Sequence, residues 1–160
     1  MIGGVEQVTV RLEPGESANL DAVMGVMHAA FDPDFGEGWT RSQCAGILPL
    51  TGVRLVLARD EGGEVRGFSL QRVVADEAEL LLLAVAPAAQ RRGIGASLLE
   101  DFLEHGRSNG VRRVHLEVRD GNPAVAMYRA FGFRREGRRP KYYSGRDGRR
   151  HDALTMVREL

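Results

Sequence analysis

The sequence has few of the features of secreted or membrane proteins, which are paired cysteines, long apolar runs and a signal peptide. Its 160 residues include one cysteine, Cys44, so no disulfide can form within the chain, and a reducing compartment is favoured. No run of about 18 apolar residues occurs, so no membrane-spanning helix is predicted. The N-terminal MIGGVEQVTVRLEPGE alternates polar and apolar residues, unlike a signal peptide. We therefore expect a cytoplasmic protein without a membrane partner. Cys44 lies in an amphipathic stretch and is predicted to be a buried structural thiol, with a reactive thiol as the alternative.

The chain also lacks net charge, although its halves differ. It has 22 basic and 22 acidic residues, which argues against binding nucleic acid through bulk charge. Residues 1–80 carry a net charge of −7, and residues 81–160 carry a net charge of +7. A phosphorylated ligand held by the second half is one explanation, and an ordinary solvated surface is the other.

The length of the chain predicts one domain over residues 1–160, and hydrophobic periodicity predicts a mixed α/β fold. The run EAELLLLAVAP shows little alternation, as a central buried strand would. Asn122 is predicted to cap the last helix, with Pro123 at its first position and Gly132 at its end. The predicted strands span 6–13, 53–60, 64–74, 77–87, 111–119, 133–143 and 151–160, and the predicted helices span 16–31, 40–48, 96–110 and 122–132.

A glycine turn separates a strand from a helix in AVAPAAQRRGIGASLLEDFLE. Gly93 and Gly95 open a helix that is predicted to start near Ala96, and Arg91 and Arg92 add positive charge. The unpaired N–H groups of a helix N-terminus bind anions, and glycine lets a phosphate approach the backbone closely. The turn therefore predicts a phosphate site, with a glycine pair that has no ligand role as the alternative.

Two nucleotide-binding motifs are excluded at this turn. A dinucleotide site requires a third glycine, where this chain has Leu98. A Walker A loop requires a lysine, and the single lysine of the chain, Lys141, lies far away.

The stretch VAPAAQRRGIGASLL resembles the acyl-CoA pyrophosphate motif of the GNAT superfamily of acetyltransferases, which reads Q/R-x-x-G-x-G/A after a strand. The resemblance continues through LEVRDGNPAVAMYRAFGF. The tail GRRPKYYSGRDGRRHDALTMVREL is similar to that of the RimI-like ribosomal-protein alanine N-acetyltransferases. The first 75 residues match only in outline, with an aromatic loop around Trp39.

The resemblance implies an α/β fold of the GNAT type. Its central sheet is mostly antiparallel, with one parallel strand pair splayed to admit acyl-CoA, and about four helices flank it. It also implies acetyl-CoA as cofactor and assigns no metal ligand. By resemblance Asn122 contacts the pantetheine region, and Tyr128 lies beside the thioester sulfur. The residues whose backbone is implied to hold the pantetheine arm are Leu83, Ala84 and Val85, and those implied to hold the pyrophosphate are Arg91, Arg92, Gly93, Ile94, Gly95 and Ala96.

The resemblance further implies Glu117 as general base and Tyr128 as general acid. Alternation in VHLEVR places His115, Glu117 and Arg119 on one strand face. One alternative is that Glu117 has no catalytic role and is a surface acid or forms a salt bridge with Arg119. The other alternative is that His115 is the base. Without the resemblance, Tyr128 would be interpreted as an aromatic residue of the core. Because a thiol has a pKa near 8.5 and tyrosine one near 10, full proton transfer from Tyr128 is uphill by roughly 2 kcal/mol, which favours a hydrogen bond.

The acceptor is less well determined. Residues 134–150 hold eight basic residues and two acids, and in the RimI-like family this loop borders the peptide entrance. Trp39, Tyr142 and Tyr143 are therefore candidate acceptor residues, with a plain solvated loop as the alternative. The resemblance implies a protein N-terminus, such as that of a ribosomal protein, as the acceptor. The chemistry is compatible, since an α-amine with a pKa near 8 needs less help to lose its proton than lysine. A small amine is the main alternative, and a non-catalytic acyl-CoA sensor is another. No motif supports direct RNA binding, and the sequence does not distinguish a monomer from a homodimer.

Overall fold

The computed structural model describes residues 9–160, which form a seven-stranded sheet with helices on both faces. The sheet order is β1-β2-β3-β4-β5-β7-β6. No helix among the described residues is long and apolar enough to cross a membrane. The strands are β1 (Arg11–Gly15), β2 (Val53–Arg59), β3 (Val65–Val74), β4 (Glu77–Val85), β5 (Arg113–Arg119), β6 (Arg134–Ser144) and β7 (Arg150–Glu159), and the helices are α1 (Leu20–Ala30), α2 (Arg41–Ile47), α3 (Ile94–Ser108) and α4 (Ala124–Ala130).

The predicted element order is confirmed, and the boundaries differ at the ends. The first strand starts at Arg11, and residues 6–8 of its prediction lie outside the described residues. The first predicted helix is divided into a 3-10 turn at Ser17–Asn19 and α1. Thr40 and Gln43 form a capping box at the start of α2, which satisfies backbone N–H groups that have no partner in the helix.

One parallel strand pair interrupts an otherwise antiparallel sheet, as predicted. β4 and β5 pair in parallel from Glu77 with Arg113 to Leu80 with Leu116. Beyond these four pairs the two strands part, although both continue. The splayed pair implied by the resemblance is therefore present.

A β-bulge lies where the strands part. Opposite β3, Leu80 pairs with Gln71 and Leu82 pairs with Leu70, so Leu81 is an extra residue on β4. A bulge bends the strand and reverses which face later side chains point to. Ala78 and Leu80 accordingly pack with α3 and β5, whereas Leu82 and Ala84 pack with α1 and α2.

β4 lies at the centre of the sheet, as predicted, although it is not buried evenly along its length. Buried and half-buried residues alternate along the strand, and the residues from Leu81 to Val85 border the gap that opens where β5 parts from β4. The apolar run therefore supplies both the packed faces of the sheet and the border of this gap. Cys44, on α2, is buried, as predicted, and burial raises the pKa of its thiol.

The start of α3 packs closely on β3 because Gly67 has no side chain. A Cβ at Gly67 would lie 2.9 Å from the Ala84 carbonyl oxygen, 3.1 Å from Ile94 Cγ2 and 3.3 Å from Leu98 Cδ1. Such distances require backbone or buried side chains to move. Gly67 therefore sets how closely the glycine turn approaches the sheet.

We expect Gly67→Ala to lower the free energy of unfolding by roughly 1–3 kcal/mol, since it overpacks the interface between α3 and β3. Gly25→Ala is the matched control because a Cβ at Gly25, inside α1, meets nothing within 4 Å. That control should be neutral or stabilising, by about 0.5–1 kcal/mol, through helix propensity. Urea denaturation measures both, and equal stability of Gly67→Ala and the wild type would contradict the packing account.

Candidate active site

The parting of β4 and β5 opens a cavity of about 750 Å³. Its walls come from both strands, the glycine turn, α4, the loop over residues 32–39 and β6. The cavity gathers most of the residues predicted for the site, namely Trp39, Leu83, Ala84, Val85, Arg91, Gly93, Gly95, Ala96, Glu117, Asn122, Tyr128, Tyr142 and Tyr143.

Two predicted residues do not line the cavity with their side chains. Arg92 is exposed, and Ile94 is buried in a hydrophobic cluster with Leu98 and Ala58. Ile94 could therefore bind an anion only through its backbone N–H group. Arg92 could do so through its backbone N–H group or with a side chain that extends from the surface to the cavity.

The glycine turn presents unpaired backbone N–H groups. The first hydrogen bond of α3 runs from the Ser97 N–H to the Gly93 carbonyl, at 3.0 Å, so the preceding N–H groups have no acceptor in the helix. Gly93 caps the helix with φ +88°, and Arg91 also has a positive φ of 62°. The helix begins at Ile94 rather than near Ala96, because this left-handed turn brings the chain into helical conformation two residues earlier. The Gln90 side chain steadies the turn by donating to the Val85 carbonyl, at 3.0 Å.

Glu117 lies just beyond the last residue pair shared by β4 and β5. Its side chain is 12% exposed, and it accepts a hydrogen bond from Thr155 Oγ1 at 2.7 Å. The Arg139 Nε atom lies 3.0 Å from its other oxygen, Oε1, and the Arg139 side chain is 61% exposed. The alternative that Glu117 forms an ion pair with Arg119 is wrong. Arg119 lies on the same strand face, but its side chain points to the loop over residues 32–39. Glu117 is thus a cavity carboxylate whose charged partner is largely in solvent.

Tyr128 lies on α4 at the cavity wall and is 6% exposed. Its ring packs edge-to-face on Phe133, with centroids 5.9 Å apart. Gly132, with φ +87°, ends α4 as predicted, and the Phe133 N–H donates to the Tyr128 carbonyl, as in a Schellman motif. Burial, aided by the charge of Glu37, raises the pKa of the Tyr128 phenol. The side chain is therefore a neutral O–H donor at the cavity.

His115, the alternative base, lies where β4 and β5 are still paired, and it is not part of the cavity wall. Its Nε2 lies 3.4 Å from Glu79 Oε2. The hydrogen bond to Glu79 raises the pKa of His115, although burial opposes the shift. A histidine that holds its proton more tightly is a poorer base at neutral pH, so the geometry favours Glu117.

A second carboxylate at the cavity, Glu37, was not found by sequence reasoning. It is 9% exposed and accepts from Arg119 Nε at 2.6 Å and from Asn122 Nδ2 at 3.2 Å. The Arg119 guanidinium also lies over the Phe35 ring, 3.7 Å from its centroid. Only long-range proximity brings these residues together, since Glu37 and Arg119 are 82 positions apart.

Asn122 does not occupy the N-cap position that was predicted for it. The structure places Pro123 at the N-cap of α4. Asn122 nevertheless satisfies the helix start, because its Oδ1 accepts from the Ala124 N–H at 2.8 Å. The shift by one residue follows from the backbone of Pro123, which has helical angles but precedes the first residue of the helix. In this structure the Asn122 amide is engaged by Glu37 and by α4.

A bulge in β6 contains Tyr142 and ends just before Tyr143. Arg139 pairs with Ala153 and Tyr143 pairs with His151, so residues 140–142 oppose Asp152 alone. The Asp152 carboxylate holds this bulge by accepting from the Lys141 N–H at 2.9 Å. The rings of Tyr142 and Tyr143 lie edge-to-face, 4.9 Å apart. Burial raises the pKa of the half-buried Tyr143 phenol, while Tyr142 is exposed.

The loop over residues 32–39 and the hairpin between β6 and β7 meet at the end of the cavity that Trp39, Tyr142 and Tyr143 line, called the acceptor end below after the role predicted for these residues. The Arg146 N–H donates to the Pro33 carbonyl at 2.9 Å. The Phe35 and His151 rings pack edge-to-face, with centroids 5.3 Å apart. A Cβ on Gly36 would collide with the Ser144 carbonyl oxygen. The two segments therefore contact each other and close one side of the cavity.

We expect His115 to titrate above pH 6.5 and His105 below it, since Glu79 stabilises charged His115 whereas burial and Arg54 disfavour charged His105. NMR titration of the two imidazole rings measures both values. Because its folded pKa is raised, the His115 pair should stabilise the fold below about pH 6.5 and lose that contribution as the pH rises through the folded value. A His115 that titrates below His105 would contradict this assignment and restore His115 as a candidate base.

Comparison with known proteins agrees with this architecture. The sequence model of the acetyltransferase (GNAT) family matches residues 21–133. The ribosomal protein bS18-alanine N-acetyltransferase of Escherichia coli is 40% identical over 98 residues, which cover 61% of this chain and 66% of that enzyme.

Solved structures show the same fold. The crystal structure of the E. coli ribosomal-protein-S18-alanine N-acetyltransferase superposes with a TM-score of 0.84 at 30% identity, covering 95% of this chain and 94% of that one. A phosphinothricin acetyltransferase of Sinorhizobium meliloti, solved in complex with AcCoA, superposes with a TM-score of 0.78 at 22% identity, covering 95% and 89% of the two chains, and this likeness shows the fold alone. Together with the family match, these likenesses establish that the chain belongs to the GNAT family of acetyltransferases.

Proposed function

We propose that this protein transfers an acetyl group from acetyl-CoA to the N-terminal α-amine of a protein, such as a ribosomal protein. The observation that carries the proposal is the single cavity between β4 and β5, which joins the glycine turn, Glu117 and Tyr128. An anion site, a carboxylate and a phenol in one cavity are the parts that acyl transfer to an amine requires. Residues 1–160 would form one acetyltransferase domain, working in the cytoplasm.

The residues present fit an acyl-CoA donor. The start of α3 offers N–H groups with no acceptor in the helix, at the end of the cavity where Arg91 adds charge. Beyond Leu80 the edge of β4 is no longer paired with β5, so Leu83, Ala84 and Val85 can offer backbone groups to the amide-containing arm. When bound, acetyl-CoA supplies the acetyl group as a thioester.

Glu117 is suited to accept the proton that the acceptor must lose. An α-amine has a pKa near 8, so most of it arrives protonated at neutral pH, and a nearby carboxylate can take the proton directly or through water. Thr155 holds one oxygen of Glu117, and the other faces Arg139. Because Arg139 is mostly in solvent, its ion pair with Glu117 contributes little stability, and an arriving ammonium can replace it.

Tyr128 is suited to donate a hydrogen bond to the leaving sulfur rather than to give up its proton. Its pKa is raised by burial and by Glu37, which makes transfer to a thiolate more unfavourable than the roughly 2 kcal/mol expected for unperturbed groups. A neutral phenol fixed by packing on Phe133 stabilises negative charge as it develops.

The closed acceptor end favours a chain terminus as the acceptor. Since residues 33–36 contact the hairpin between β6 and β7, an amine enters the remaining opening most easily when it stands at the end of a chain. The similarity to a bS18-alanine N-acetyltransferase supports the same acceptor class. Trp39, Tyr142 and Tyr143 would then contact the first residues of that chain.

We expect Tyr128→Phe and Glu117→Gln each to lower kcat by about 10²-fold, through loss of a hydrogen-bond donor and of a proton acceptor. Both variants should bind CoA within about twofold of the wild type by calorimetry, since the glycine turn is unchanged. Glu77→Gln, an exposed acid on β4, is the control and should retain wild-type kcat. A Tyr128→Phe variant with full turnover would refute its role.

We expect a peptide with a free N-terminal alanine to be acetylated, and the same peptide with a blocked N-terminus and an internal lysine to stay unmodified. The lower pKa of the α-amine and the closed acceptor end both favour this result. Mass spectrometry after incubation with acetyl-CoA measures it, with a set of small amines in parallel. Acetylation of the small amines but of no peptide would overturn the proposed acceptor class.

A further inference from the structure

The loop over residues 32–39 is fastened to the catalytic strand by an almost fully buried ion pair. Glu37 and Arg119 are 9% and 12% exposed, and their charged atoms lie 2.6 Å apart. Asn122 Nδ2 adds two longer contacts to the same carboxylate, at 3.2 and 3.4 Å. Phe35 covers the guanidinium from above. These four residues, Phe35, Glu37, Arg119 and Asn122, are called the Glu37 clasp below.

The clasp continues into the hairpin on the other side of the loop. Phe35, which covers Arg119, also packs edge-to-face on His151. The His151 ring lies 3.1 Å from the Asp34 carbonyl oxygen through its Nε2. Contacts therefore run without interruption from β5 through the loop to β7. The loop is held from both sides, as a fixed wall rather than a lid.

The clasp also joins the two halves of the proposed reaction. Arg119 and Asn122 follow Glu117 on the chain and precede Tyr128, while Phe35 and Glu37 lie in the wall next to Trp39 and Tyr143. The Glu37 charge acts on both Tyr128 and Tyr143. Removing that charge leaves Arg119 buried without a carboxylate, which frees the loop to move away from β5.

We propose that Glu37 is a positioning residue for the acceptor: by holding Arg119 and Asn122 it keeps the loop over residues 32–39 at the distance from Glu117 that an incoming amine requires. This inference rests on the proposed function. It differs from a general structural role because no hydrogen bond or ion pair of the described residues joins the glycine turn to the clasp. Asn122, which the resemblance assigns to the pantetheine region, keeps its bond from the Ala124 N–H when Glu37 is neutral. Glu37 therefore affects acceptor binding and leaves donor binding unchanged.

The test uses Glu37→Gln, which keeps the size of the side chain and removes its charge. We expect the acceptor KM to rise roughly tenfold, because small misplacements of a positioning group cost one to two powers of ten, while the Kd for CoA stays within twofold. Asp60→Asn is the matched control, since Asp60 holds Arg66 in the hairpin between β2 and β3, away from the cavity. That control should leave both constants unchanged.

A double variant distinguishes a positioning role of Glu37 from a general loss of folded structure. If Glu37 acts through Arg119, adding Arg119→Gln to Glu37→Gln removes the uncompensated charge and raises the acceptor KM no further. An unchanged acceptor KM in Glu37→Gln would overturn the inference, and so would an equal rise in acceptor KM and CoA Kd.

Hydrogen exchange gives a readout that does not depend on which amine is the acceptor. Glu37→Gln should speed amide exchange in residues 32–39 at least tenfold and leave β3 unchanged. Unchanged exchange in this loop would refute the clasp even if no acceptor is found. A wild-type protein that acetylates no amine would refute the proposed function and leave the exchange result to decide the clasp.

Discussion

β4 and β5 share only four residue pairs, and the site is built where that pairing stops. Two parallel strands that part expose backbone groups and apolar side chains that a continuous sheet would cover. The bulge at Leu81 makes the parting compatible with a packed core. It turns Leu82 and Ala84 toward α1 and α2, after Ala78 and Leu80 have packed toward α3. β4 therefore packs its buried side chains first against one face of the sheet and then against the other, while its unpaired edge borders the cavity.

The charges around the cavity follow from the same arrangement. Carboxylates at a largely apolar wall require partners. Of the four carboxylates that line the cavity, Asp32 is exposed, and the other three each have a side-chain partner. Glu117 on β5 receives Thr155 and Arg139, Glu37 in the loop receives Arg119 and Asn122, and Glu79 on β4 receives His115. The partner of Glu117 is exposed and the partner of Glu37 is buried. This difference in burial suits one carboxylate to exchange a proton and the other to hold a wall in place.

Local patterns predicted much of this molecule, because local physics decides those parts. Alternation in VHLEVR predicted that Glu117 lies on the strand face opposite Val114, Leu116 and Val118, and these three residues are buried in the core. Gly132 ends α4 as expected. The element order was also predicted correctly, and the parallel pair was implied by the resemblance to the GNAT superfamily. The bulge at residues 140–142 contains Pro140, a residue that is confined to edge strands and bulges, and this signal was not used. The bulge at Leu81 depends on the neighbouring strand, and no residue type marks it. The Glu37 clasp escaped detection for a similar reason, since its members come together only after β5 and the loop have packed.

The central claim is that the gap between β4 and β5 holds the acyl donor. A crystal structure of the protein grown with CoA tests it most directly. The account predicts the pyrophosphate at the N–H groups of residues 91–96 and the pantetheine arm along Leu83, Ala84 and Val85, ending near Tyr128. CoA bound elsewhere on the surface, with β4 and β5 closed upon each other, would contradict it.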